Sequence, residues 1–199
     1  MKYIIDTPEF PSEEDSLFNS EGEFWSSASL YYHFDGWGAY AVGYKEAADT
    51  IIQSIIDDRR IFDPLVYPIM HLYRHYLELQ IKGLILSSQK LMFKKRQLPQ
   101  IHDLNKLWQL CDELLREVSP GDSEDSLDSI TRLIKEFTDI DPFSTAFRYP
   151  TDRKGEKSLD TLEHIDVLNV SKVINKIATL LEAAEAQIDH LQSFMPDEY

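Results

Sequence analysis

The sequence predicts an all-α protein, an antiparallel bundle of four to five helices behind an irregular N-terminal arm. Three observations carry this expectation. Apolar residues recur at the helical spacing of about 3.6 residues in five separate segments. No run alternates with period two, as a half-buried strand would. The 199 residues include only 7 glycines, which argues against a turn-rich all-β chain. With 43% apolar residues the length suits one well-buried core and a small appendage, so residues 1–35 are read as the arm and 36–199 as the helical domain.

The arm contains Pro8, Pro11 and a Ser/Glu/Asp run, followed by the aromatic-rich "FWSSASLYYHFDGWG". A first helix follows over about 37–58, with Tyr40, Tyr44, Ala47, Ala48, Ile51, Ile52 and Ile55 on one stripe. "DDRRIFDP" breaks it, and Pro64 opens a second helix over about 64–88, which buries Ile69, Leu72, Tyr73, Tyr76, Leu77 and Leu84. A third, about 103–117, repeats the pattern through Leu104, Leu107, Trp108, Cys111, Leu114 and Leu115, with Asp103 as its N-cap. "SPGDSED" marks a turn, and Leu127, Ile130, Leu133, Ile134 and Phe137 set the face of a fourth. After the loop "DPFSTAFRYPTDRKGEKS", a long helix over about 160–193 turns Leu162, Ile165, Val173, Ile177, Leu180, Ala184 and Ile188 inward.

The formal net charge of −15 repels nucleic acid at long range, so binding to a polyanion requires a local patch. One exists: residues 82–106 hold Lys82, Lys90, Lys94, Lys95, Arg96 and Lys106 against Asp103 alone. The run reads either as a solvated face or as a guide for phosphates. The single cysteine, Cys111, forms no internal disulfide and falls on an apolar stripe, which fits a reducing compartment. No stretch approaches the ~18 apolar residues of a membrane span, and the first residues hold no apolar run of signal-peptide length. A cytoplasmic protein with no membrane partner is expected.

On the second helix His71, Arg74, His75, Glu78 and Lys82 fall within about 100° of one another. The face reads either as a water-exposed ladder, because Arg74–Glu78 and Glu78–Lys82 are i,i+4 pairs of opposite charge, or as a polar cleft holding a phosphate or an acidic partner. His71 and His75 share the i,i+4 spacing of zinc-binding helices, but "HLYRH" lacks the glutamate of the hydrolytic motif, and neither metal nor cofactor is expected. There is no Gly-rich phosphate loop and no nucleophile elbow. Two further candidates are His102, at the start of the third helix, and Arg148, in "FRYP".

"LYRHYLELQIKGLIL" on one helix, "HDLNKLW" opening the next and "FRYPTD" before the last resemble, in order and spacing, the HEPN superfamily of small α-helical bundles. The resemblance covers roughly 40–190. It implies an HEPN-like bundle that forms a homodimer with a cleft along its interface. Many members are ribonucleases of toxin–antitoxin or phage-defence systems that cut RNA without a metal, using an Arg, four to six residues, then a His. "RQLPQIH" supplies Arg96, five residues, then His102. The branch with His-Asp-Leu and Arg-Tyr-Pro also includes non-catalytic nucleotide- or partner-binding modules, some linked to nucleotidyltransferases.

Two readings follow, with a third behind them. The favoured one is a binding module whose cleft, lined by Arg74, His75, Glu78, Lys82, His102 and Arg148, takes a nucleotide, RNA or a protein partner. The alternative is a metal-independent endoribonuclease, with His102 as general base and Arg96 stabilising the phosphate charge. The third is a structural subunit whose acidic surface docks on a basic partner.

Overall fold

The computed structural model of the protein describes residues 10–18, 22–30, 36–95, 97–121 and 124–195. Among these residues the regular structure is five α-helices packed against one another, with no strand: α1 (Trp37–Asp58), α2 (Val66–Leu91), α3 (Leu104–Val118), α4 (Glu124–Ile140) and α5 (Val167–Gln192). The chain divides into two units, Met1–Phe34 and Asp35–Tyr199. The described part of the first holds one 3-10 turn, Phe24–Ser26, where the hydroxyls of Ser26 and Ser27 each donate to the Glu23 carbonyl.

The second unit is built around α2. A helix with one neighbour needs one apolar stripe, whereas a helix with several must be apolar nearly all round. α2 packs on α1, α3 and α5. Accordingly it buries Ile69, Met70, Tyr73, Tyr76, Leu77, Leu79, Ile81, Leu84 and Ile85, which together cover about two-thirds of its circumference, and Glu78 and Lys82 fall in the remaining sector. Pro68 falls in its first turn, where a missing N–H breaks no intrahelical bond. The N-terminal Pro64 lies just outside, in a 3-10 turn over Asp63–Leu65 that leads directly into the helix. At the other end Phe93 takes a left-handed conformation, φ 52°, and the Lys94 N–H donates to the Gln89 carbonyl at 2.9 Å, which closes the last turn.

Seven residues join α1 to α2 and span at most about 25 Å, less than the ~33 Å length of a 22-residue helix, so the two must run antiparallel. The same argument applies to α3 and α4. Their contact is fixed by the Trp108 indole, which is fully buried and donates to Thr131 Oγ1 at 2.8 Å. Tyr73 joins three helices: its hydroxyl donates to Asp49 Oδ1 of α1 at 2.6 Å and lies 3.0 Å from Ser171 Oγ of α5.

Three local expectations change. Tyr40 and Ala47 are exposed, and Ala41 takes the buried place on α1. α5 starts at Val167, not near 160, because the Asp166 carboxylate accepts from the N–H groups of Leu168 and Asn169 and caps the helix there. Leu162 and Ile165 lie in the preceding loop and are half-buried. No helix among the described residues is long and apolar enough to cross a membrane.

Candidate functional site

Arg74, Glu78 and Lys82 recur every fourth residue of α2 and so stack along one line of it. This line is not a water-exposed ladder. Arg74 is 0%, Glu78 1% and Lys82 8% exposed, because the segment before α3 and the loop after α4 close over it. Three charges withdrawn from water are tolerated only if they satisfy one another. Glu78 does most of this: Oε1 accepts from Lys82 Nζ at 2.7 Å, and Oε2 accepts from Arg74 Nη1 at 3.1 Å.

Two distant segments join the line. Arg74 Nη2 donates to the carbonyl of His102 at 2.7 Å, and His102 Nδ1 lies 2.8 Å from Glu78 Oε1. In the neutral imidazole the carboxylate selects the tautomer protonated at Nδ1, which leaves Nε2 as an acceptor on the far side of the ring. The His102 side chain is 74% exposed, so that nitrogen is open to a ligand. Next in sequence, Asp103 caps α3 by accepting from the Lys106 N–H at 3.1 Å, which fixes the backbone carrying the imidazole.

The third segment was not anticipated. Asp141, at the end of α4, is 2% exposed and places Oδ2 3.7 Å from Arg74 Nε. Its Oδ1 accepts from the N–H groups of Thr145 and Ala146, so the same carboxylate both faces the guanidinium and folds the loop that follows. At the end of that loop Arg148 is exposed, with its Nε donating to the Ser144 carbonyl and its guanidinium 5.5 Å from the centre of the Tyr149 ring. The only sequence clue to Asp141 was an Asp-Pro step, which marks a turn and says nothing of a buried arginine.

His75 is half-buried, edge-on to Tyr44 at 4.3 Å and stacked near His71 at 6.0 Å. Burial lowers the pKa of both imidazoles; for His71 the charges of Arg148 and Arg74 lower it further, against Asp141 and Glu78. Burial acts most strongly on Glu78 and would raise its pKa. The hydrogen bonds and charges of Lys82 and His102 outweigh that and hold it below the usual carboxylate value.

No protein-family model, no curated protein and no solved structure matches this chain.

Arg74, Glu78, His102 and Asp141 thus converge from three parts of the chain, and the Asp141 loop carries Arg148. Arg74 and Lys82 balance the two carboxylates Glu78 and Asp141, and Arg148 adds an exposed positive charge outside that network, within a chain of net charge −15. Arg96 lies outside the described residues. In the rest of the basic run, Lys94 pairs with Glu117, while Lys90 and Lys95 are exposed. Cys111 is fully buried, and burial raises its thiol pKa well above the usual range, so it offers no thiolate nucleophile. Among the described residues, no three side chains of His, Cys, Asp or Glu group so as to hold a metal ion.

Proposed function

We propose that the protein is an HEPN-like module that binds RNA or a nucleotide at the His102–Arg148 surface. The observation that carries this reading is the buried Glu78–Arg74 pair, which is hydrogen-bonded to the His102 segment and lies in ion-pair contact with Asp141, the residue that folds the loop of Arg148. Residues far apart in sequence are arranged around one charge network; His102 is its exposed member, and the loop that Asp141 folds carries the exposed Arg148. These groups suit a phosphate diester or monoester, with Arg148 as the ionic partner and His102 as the hydrogen-bonding one. Arg74 and Glu78 act through them as positioning residues.

The test is fluorescence anisotropy of a labelled RNA pool and of single nucleotides with wild type, Arg148→Ala and His102→Ala. Binding should weaken in both variants, with the folding midpoint of Arg148→Ala near that of wild type. Wild-type protein that retains neither RNA nor any nucleotide at low salt would overturn the reading.

The buried carboxylate behind His102 also favours a second reading, a metal-independent endoribonuclease. Glu78 fixes the imidazole so that Nε2 could take the proton of a ribose 2′-hydroxyl, and Arg96 would stabilise charge on the scissile phosphate. Incubation of the RNA pool with excess EDTA decides between the readings. Cleavage that both His102→Ala and Arg96→Ala abolish supports the enzyme, and intact RNA at high protein concentration leaves the binding module.

A further inference from the structure

A cavity of about 610 Å³ opens between the start of α2 and the loop that follows α4. Cavities that hold small ligands span roughly 300–1,000 Å³ and combine an apolar lining with a few polar groups. This one has that composition. Its floor is Phe147, 3% exposed, whose ring is held edge-on by Phe137 at 6.3 Å. Its walls carry Tyr67 and Tyr149, each about half exposed at 50% and 55%. The charged residues lining it are Arg148 and Lys157, and no carboxylate is among the described residues that do so. In a chain with 35 acids and 20 bases, a pocket free of acids and holding two cations is selective for an anion.

Local structure holds the Arg148 side chain and the backbone that carries Lys157. The Arg148 side chain is tied at Nε to the Ser144 carbonyl and rests on Tyr149. Lys157 follows a tight turn closed by an antiparallel bridge to Thr151. The Asp152 carboxylate accepts from the N–H groups of Lys154 and Glu156, and Gly155 supplies the left-handed residue, φ 85°, that lets the chain reverse. The hydroxyls of Thr151 and Ser158 add neutral hydrogen-bonding groups to the same rim.

We propose that this cavity binds the nucleoside monophosphate unit of a ligand, with the base against Tyr67, Phe147 and Tyr149 and the phosphate on Arg148 and Lys157. Flat aromatic walls beside a paired guanidinium and ammonium match a base joined to a phosphate better than they match either alone. The inference rests on the RNA- or nucleotide-binding reading and deepens it, because Arg148 lines the cavity and is carried by the loop that the Asp141 carboxylate folds. It adds Tyr67 and Lys157 as contacts and places the base on the α2 side of Arg148. The same unit occurs free or as the phosphorylated end of an RNA strand.

The experiment is calorimetric titration of AMP, GMP, CMP and UMP, with adenosine and inorganic phosphate as controls, into wild type, Lys157→Gln and Tyr67→Leu. Both side chains reach solvent, so the folding midpoint should not move. At least one mononucleotide should bind more tightly than either control, and each variant should weaken it roughly ten-fold. Competition between that mononucleotide and a 5′-phosphorylated oligoribonucleotide, set against the unphosphorylated strand, separates the free ligand from the strand end. Nucleotide binding unchanged in both variants but lost in His102→Ala overturns the cavity and leaves the broader reading standing. Absence of binding by mononucleotides and RNA alike overturns both.

Discussion

Glu78 is the residue on which the charge balance of the site turns. Its carboxylate is the shared acceptor for Arg74, Lys82 and His102, so Glu78→Ala strands two buried cations and should cost about 3–5 kcal/mol in chemical denaturation. Glu78→Gln keeps the shape but not the charge. The pH dependence follows from the direction of each shift. A carboxylate held below its ordinary value stabilises the fold above the unfolded-state pKa, and that stability is lost as pH falls through the folded value, here below 4.5. His71 and His75 act at higher pH. Their pKa values are lowered from 6.5, so the unfolded chain binds protons first, and the fold loses stability as pH drops from 6.5 through their folded values. A melting profile from pH 7.5 to 4 should therefore decline first below neutrality and again near the carboxylate range. The double variant His71→Gln, His75→Gln should flatten only the first decline. The i,i+4 spacing of Arg74, Glu78 and Lys82 was visible in the sequence, whereas their burial depended on which segments fold across them.

At the level of elements, the helix caps are where local sequence and site geometry meet. Asp103→Ala removes the acceptor for the Lys106 N–H and should cost about 1 kcal/mol of stability by urea titration. Because His102 is the adjacent residue, its imidazole resonances in NMR should also shift. Asp166→Ala, which removes the acceptor for two N–H groups at the start of α5, should cost about as much and leave those resonances in place. The two caps were not equally legible. Asp103 stands immediately before a strongly periodic stripe, so the boundary of α3 could be read to within a residue. In α5 the apolar spacing of Leu162 and Ile165 continues the helical period outward, and only the competing cap at Asp166 ends it. Periodicity does not distinguish a helical turn from a loop that packs its apolar residues on the same groove.

For the whole molecule, the net charge of −15 sets two opposing effects of salt. Self-repulsion of a strongly acidic chain is screened as ionic strength rises, so the melting temperature should increase between 20 and 150 mM NaCl, over which the Debye length shortens from ~20 to ~8 Å. Phosphate binding at the His102–Arg148 surface should weaken over the same range, because released counterions favour the complex less at high salt. A calorimetric scan and an anisotropy titration in parallel check both signs; if stability and affinity move together, the site is not acting as a positive patch on a repelling body. The central place of α2 makes a further difference. Ile81, fully buried on it, should lose about 2–5 kcal/mol on replacement by Ala, whereas exposed Val42 on α1 should tolerate the same change.

The sequence by itself determined the five helices, most of their inward faces, the cap of α3 and the regular spacing of charges along α2. Each of these depends on residues within a few turns of one another, and the helical period records them directly. Only the tertiary structure decided that α2 is enclosed, that Glu78 meets His102, that Asp141 faces Arg74, and that Tyr67 and Lys157 share a cavity with Arg148. A helical period records the angle of a side chain about its own axis. It does not record how many neighbours surround that axis, and burial, pairing and cavities all arise from those neighbours.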